Sequence, residues 1–211
     1  MQAFFHDLIV FMVEGGLLMW VIAAVWIIGL VIAFEKYTKL FSYDIDAPSL
    51  MNELQKYVLS GDVQGGIKVC SRSKALLPRV LKSGLKRSNQ SIEQVQSAID
   101  ATCLEVIPKI EKRLGHLALI ANLSTLFGLL GTIQGLIQSF SAVSKADPSQ
   151  KGELLAKGIA VAMNTTALGL ISAITILIVH AFLVSKSEKI ISNIDEYSVK
   201  LIDMLGAKKE S

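Results

Sequence analysis

Hydrophobic positions fall into two regimes along this chain. In three stretches they are almost continuous: Gly15 to Phe34, Leu117 to Phe140 and Gly158 to Leu183. Each is near or above the ~20 residues that a helix needs to cross the hydrocarbon core of a bilayer, so each predicts a transmembrane span. Elsewhere apolar residues recur at intervals of three and four, which predicts amphipathic helices. Phe4, Phe5, Leu8, Ile9, Phe11 and Met12 predict a short helix lying at the membrane–water boundary. Pro48 opens a helix through Leu50, Met51, Leu54, Tyr57 and Val58, and Gly61 stops it. The pair Gly65-Gly66 predicts a break before a short segment with Ile67 and Cys70; a further helix covers Lys74 to Lys86. Ser91, with Gln94 three positions on, predicts a capping box at the head of a long helix. That helix carries Ile92, Val95, Ile99, Cys103, Val106, Ile110 and Leu114, and is expected to run unbroken into the second span with a kink at Pro108. After the third span, Ile190, Ile194, Tyr197, Leu201 and Met204 extend a helical stripe to the C-terminus.

The pattern predicts an all-α polytopic membrane protein. An interfacial helix occupies 1–14, spans lie at 15–34, 117–143 and 155–184, a helical cytoplasmic region fills 35–116, a loop joins spans at 144–154, and a cytoplasmic helix closes the chain at 185–211. The cytoplasmic region is thin for a core of its own, so its apolar stripes are expected to be buried against neighbouring copies.

The spans differ in what they carry. The first has no polar side chain and reads as a lipid-facing outer helix, with Trp20 near the interface and Trp26 deeper, in packing or lipid contact. In the second, Gly128, Gly131 and Gly135 share a face with Ser124 and Ser139, while Thr125, Thr132 and Ser139 form a line of hydroxyls. The third repeats the device with Gly158, Ala162, Thr165, Gly169 and Ser172. Small residues let two helices approach closely where no hydrophobic effect drives them together. Asn164, Thr165 and Thr166 gather near the middle of the third span. A lone hydroxyl bonded back onto its own helix is ordinary; three adjacent polar residues, with Thr132 on another helix, predict a polar passage or binding surface.

Composition sharpens this picture. The chain is 52% hydrophobic and only 18% charged, too apolar for an ordinary soluble domain. No Lys or Arg precedes Lys36, whereas Lys36, Lys39, Lys109, Lys112, Arg113, Lys186 and Lys189 flank the other ends of the spans. By the positive-inside rule those ends are cytoplasmic, and the N-terminus and the loop around Asp147-Pro148 lie outside. Without a basic leading region, a cleaved signal peptide is not expected. A net charge of +3 with no basic block predicts no nucleic-acid partner. Cys70 and Cys103 stand apart and read as reduced thiols, and no metal site, cofactor site or catalytic constellation is expected. No Asp, Glu, Lys or Arg lies in the interior of a span, and His116 and His180 sit at the cytoplasmic ends. A charge at the bilayer centre costs roughly 2.5–3.5 kcal/mol, and proton paths are built around such groups. If this chain conducts protons, the titrating acid must come from another polypeptide.

The motif Gly128-Leu129-Leu130-Gly131-Thr132-Ile133 with Gly135 and Phe140, followed by Gly158-Ile159-Ala160, Thr165-Thr166-Ala167 and Gly169-Leu170, resembles the MotA/TolQ/ExbB proton-channel family. The lead-in Ile110-Glu111-Lys112-Arg113-Leu114 also fits, and the likeness is greatest to the three-span TolQ/ExbB branch. The resemblance implies a homopentamer around a central pore lined by the second and third spans. It implies two copies of a single-span ExbD/TolR-like partner whose transmembrane Asp faces Thr132 and Thr166, and work delivered to a TonB/TolA-like or other envelope protein. The implied site is the bacterial inner membrane, with H+ as the transported ion. Three positions depart from the family pattern. Val161 stands where a glutamate often follows G-I-A, and Thr125 and Thr175 replace prolines, which implies straighter helices and a specialised branch. Thr165 beside Thr166 adds an oxygen ligand of the kind a hard cation such as Na+ prefers.

Overall fold

The computed structural model of the protein describes residues 11–13 and 15–210. The interfacial helix expected at 1–14 therefore lies outside the described residues, apart from a helical fragment at 11–13. The described chain is helical and contains no strand. We number its helices α1 (Gly16–Tyr43), α2 (Ala47–Ser60), α3 (Val63–Ser71), α4 (Leu76–Leu85), α5 (Ile92–Glu111), α6 (Leu114–Lys145) and α7 (Lys151–Glu210). Three helical stretches are long and apolar enough to cross a membrane, and they contain α1, α6 and α7. The chain divides into two compact units, one of residues 1–34 and 113–181, the other of 35–112 and 182–211.

In the first unit, α1 packs along one stripe. Met19, Ile22 and Ala33 are buried, while Leu17, Ile27, Ile28, Val31 and Phe34 are exposed. Gly29 lets α6 and α7 approach: a methyl there would lie 2.6 Å from Ile176 Cδ1 and 3.0 Å from Ile120 Cγ2. Trp26 is part of this packing, with its Nε1 donating to Thr175 Oγ1 at 3.0 Å. The expected outer helix is thus exposed on one side only and packed on the other.

The second unit has a core of its own. Asp46 caps α2 by accepting from Ser49 N, and Gly61 ends it in the left-handed region at φ 78°. Ser91 caps α5 by accepting from Gln94 N, as its position predicts. Leu54, Val80, Leu81, Leu85, Val95 and Ile99 are buried together with Ile194 and Leu201 of α7. The expectation that these stripes wait for neighbouring copies is corrected here: the end of α7 supplies the partner stripe within one chain. At Gly84 a methyl would lie 2.8 Å from Ile99 Cδ1 and 3.3 Å from Leu201 Cδ2, so three helices meet at one small residue.

Two local expectations also change. Gly65 and Gly66 do not break the chain but lie inside α3, where Asp62 accepts from Gly65 N at 2.8 Å. Their smallness serves packing, since a methyl on Gly65 would strike the Tyr57 ring at 2.5 Å. Nor does α5 run into α6. It ends at Glu111, one turn after Pro108, and Arg113 turns the chain with φ 69°. The pyrrolidine removes one helical donor, and the frayed end is closed from outside. Lys36, 2% exposed, donates from Nζ to the carbonyls of Ile110 at 2.8 Å and Lys109 at 3.4 Å. A cation on the last carbonyls of a helix also complements its dipole. By contrast the Glu105 pairs with Lys109 and Arg79 are exposed and worth little, although they hold its carboxyl below the usual range.

Replacing Lys36 by Met should therefore destabilise the folded protein by about 1–3 kcal/mol, because buried carbonyls lose their donor. Thermal unfolding in detergent measures this; an unchanged midpoint would show that the carbonyls find another partner.

Candidate functional site

The two small-residue faces meet, as their spacing predicts. Ser124, Gly128, Gly131, Gly135 and Ser139 of α6 are all buried, and so are Ala162, Thr165, Gly169 and Ser172 of α7. A methyl on Gly128 would stand 3.3 Å from the Cα atoms of both Gly169 and Thr166. One on Gly135 would stand 2.8 Å from Ala162 Cβ, and one on Gly158 would overlap Ser139. At Gly169 the obstacles are backbone, with Ser124 O at 2.7 Å and Gly128 Cα at 2.9 Å. The helices touch main chain to main chain, an approach open only to glycine.

The seam hydroxyls are satisfied locally. Ser124 donates to Ile120 O, Ser139 to Gly135 O, Thr165 to Val161 O and Ser172 to Leu168 O, each at 2.8–3.0 Å and each within its own helix. Thr165, expected along a polar passage, is 2% exposed and packs against Gly131. Thr166 behaves differently. Half-buried, it donates across the seam to Gly128 O at 2.9 Å. Gly128 O is also the helical acceptor for the N–H of Thr132, four residues on. The structure thus brings Thr166 to the turn of α6 that ends in Thr132. Thr132 is half-buried, and its hydroxyl donates to Leu129 O at 2.6 Å.

Helical periodicity, about 100° per residue, divides the remaining groups between two flanks of the seam. Thr132 and Thr166 share one. Asn164, half-buried, falls on the other side of α7 and does not join them. With it on that second flank are Val161 and, on α6, Gln134 and Gln138. Gly15, Gly16, Leu17, Leu18, Gly131, Gln134, Gly135, Gln138, Val161 and Thr165 line a cleft of about 80 Å³ there. Reasoning from sequence passed over the two glutamines. Their signal was present, as carboxamides one helical turn apart in an otherwise apolar stretch, but the glycines and threonines around them masked it.

The two proline-replacing threonines lie in unbroken helix. Thr125 donates to Ala121 O at 3.3 Å, and Thr175 bonds back to Ile171 O and Ser172 O at 2.9 Å while accepting from Trp26. Among the described residues no group of three or more His, Cys, Asp or Glu is placed to hold a metal ion.

Comparison with known proteins bears on the same segments. The model of the MotA/TolQ/ExbB proton channel family matches residues 72–196, which take in α4 to α6 and most of α7. A protein named as an ExbB biopolymer transport homolog from Methanothermobacter thermautotrophicus is 25% identical over 195 residues, covering 91% of this chain and 68% of that protein. The Tol-Pal system protein TolQ of Haemophilus influenzae is 31% identical over 109 residues, 52% of this chain and 44% of its own. The biopolymer transport protein ExbB of Aquifex aeolicus is 37% identical over 78 residues, 37% of this chain and 52% of its own.

Substituting Gly169 by Ala should cost about 1–3 kcal/mol, because the added methyl meets backbone that cannot turn aside. Gly115→Ala, where nothing lies within 4 Å, is the matched control. Equal thermal stability of the two variants would mean that the seam is looser than described.

Proposed function

The chain belongs to the MotA/TolQ/ExbB proton channel family, and on that premise we propose that it is the pore-forming subunit of an ion-motive-force-driven motor in the bacterial inner membrane. In this reading five copies surround a pore lined by α6 and α7, with α1 outside and the N-terminus periplasmic. Two copies of a single-span ExbD/TolR-like protein carry their transmembrane Asp into that pore, and the complex works on a TonB/TolA-like or other envelope protein. The observation that carries the reading is the convergence of Thr132 and Thr166 on the Gly128 turn, on one flank of a seam that contains no acid of its own. Thr165 stands behind that pair in the seam, and Asn164 faces the opposite flank.

Chemistry supports the division of labour. A threonine hydroxyl can accept from and donate to a passing proton carrier, but it does not titrate at physiological pH. The carboxylate of the partner must bind and release the proton, while the threonines orient it. Each elementary charge falling through 100 mV releases about 2.3 kcal/mol, so several must pass for each substantial piece of mechanical work. Protons are the ion we favour; Na+ is the alternative that the added oxygen of Thr165 supports. A second reading, a non-conducting scaffold, draws on the fact that the hydroxyls of Thr132, Thr165 and Thr166 all bond within the chain.

The two readings part on Thr132→Val and Thr166→Val. Interhelical hydrogen bonds in membranes average only about 0.6 kcal/mol, so assembly should survive both changes. Ion flux through the reconstituted complex should fall at least tenfold. Flux absent from the unaltered complex would favour the scaffold, and undiminished flux in the variants would show that Thr132 and Thr166 do not line the path. Flux that persists in sodium-free buffer identifies the proton.

A further inference from the structure

The cleft on the second flank is on the far side of the seam from Thr132 and Thr166. Three features of it belong together. Gln134 and Gln138 present two carboxamides, each with two donors and an acceptor, and neither hydrogen-bonds another of the described residues. Opposite them, Gly15 and Gly16 interrupt the backbone, with Gly16 in the left-handed region at φ 70° at the head of α1. The first N–H groups of α1 have no intrahelical acceptor there. Finally, the cleft measures about 80 Å³, whereas a water needs roughly 10–15 Å³ of such space.

Lipid can satisfy none of these groups. Non-helical backbone at membrane depth is tolerated only where it is buried in protein or lines water, and each unsatisfied polar group in hydrocarbon costs several kcal/mol. We propose that this cleft is a hydrated site: a pocket between α1, α6 and α7, at the head of the first span, that holds several waters on the carboxamides of Gln134 and Gln138 and admits small hydrated cations. Its floor is Thr165 and Gly131, so water here reaches the back of the seam whose front carries Thr132 and Thr166. Thr165 is held by Val161 O and keeps its oxygen lone pairs for that water. The inference stands whether or not the protein conducts ions.

Cysteine accessibility tests it directly. In the full-length protein, purified with whatever co-isolates and placed in lipid nanodiscs, Gln134→Cys and Gln138→Cys are treated with 2-aminoethyl methanethiosulfonate, a small cation that reacts with thiolate in water. The control is Ile137→Cys, between them on the same helix and 65% exposed on the chain surface. Background is low, since burial pushes both native thiols, Cys70 and Cys103, up to about 11. Both glutamine positions should label at least tenfold faster than position 137. Rates equal to that of the control overturn the proposal. Hydroxyl-radical footprinting of the unaltered protein gives a second readout that no substitution can disturb. Half-buried Leu18, on the cleft wall, should oxidise faster than more exposed Ile137; the reverse order means a dry cleft.

Discussion

The membrane half of this protein depends on how closely α6 and α7 approach. Gly128, Gly131, Gly135, Gly158 and Gly169 bring two backbones into contact, and a side chain at any of them would hold the helices apart. Inside a bilayer such contact matters more than it does in water. Lipid chains are as apolar as leucine, so burying apolar surface gives helices little reason to associate, and dispersion between well-fitted faces must do so. Individual hydroxyl bonds across the seam are worth less than the packing that lets them form. That order of magnitudes explains why Ser124, Ser139, Thr165 and Ser172 point their protons back along their own helices.

Close contact also decides which polar groups remain for function. With the seam closed, its centre holds no space for an ion, and chemistry is confined to the flanks. One flank gathers Thr132 and Thr166 about the Gly128 carbonyl. The other gathers Gln134, Gln138 and the glycine break at the head of α1. Among the described residues neither contains a group that ionises near neutral pH, and the span pair supplies oxygen and amide dipoles. The second unit, of residues 35–112 and 182–211, is built on different physics. There water drives burial, and α2 to α5 close on the end of α7 through leucine and isoleucine stripes.

Much of this could be read from the residues. The seam was legible because its signal is strictly local: small side chains at intervals of three and four define a face, and a second such face on a neighbouring span can only be its partner. The caps at Ser91 and Gly61 were legible for the same reason. What was missed depends on contacts distant in sequence. Gly65 and Gly66 look like a breaker until Tyr57 and Leu85 are seen to press on them. Pro108 signals a kink, but the full stop at Lys112 and Arg113 rests on Lys36, more than seventy residues earlier, and on the carbonyls it seals. The tie from Trp26 to Thr175 spans 149 residues, and neither residue forecasts it. Thr165 and Thr166 are neighbours in sequence, yet one faces the seam and the other its flank. Only the rotation of α7 separates them.

The account stands on one claim about charge: the spans form the wall of a conduit and borrow its acid. Proton flux into liposomes containing this chain alone, and this chain with a co-isolated single-span protein bearing an intramembrane Asp, measures it most directly. The account predicts no flux above the lipid background for the chain alone, flux with the partner, and loss of that flux when the partner's Asp becomes Asn. Proton conduction by the chain alone at the rate of the complex would contradict it.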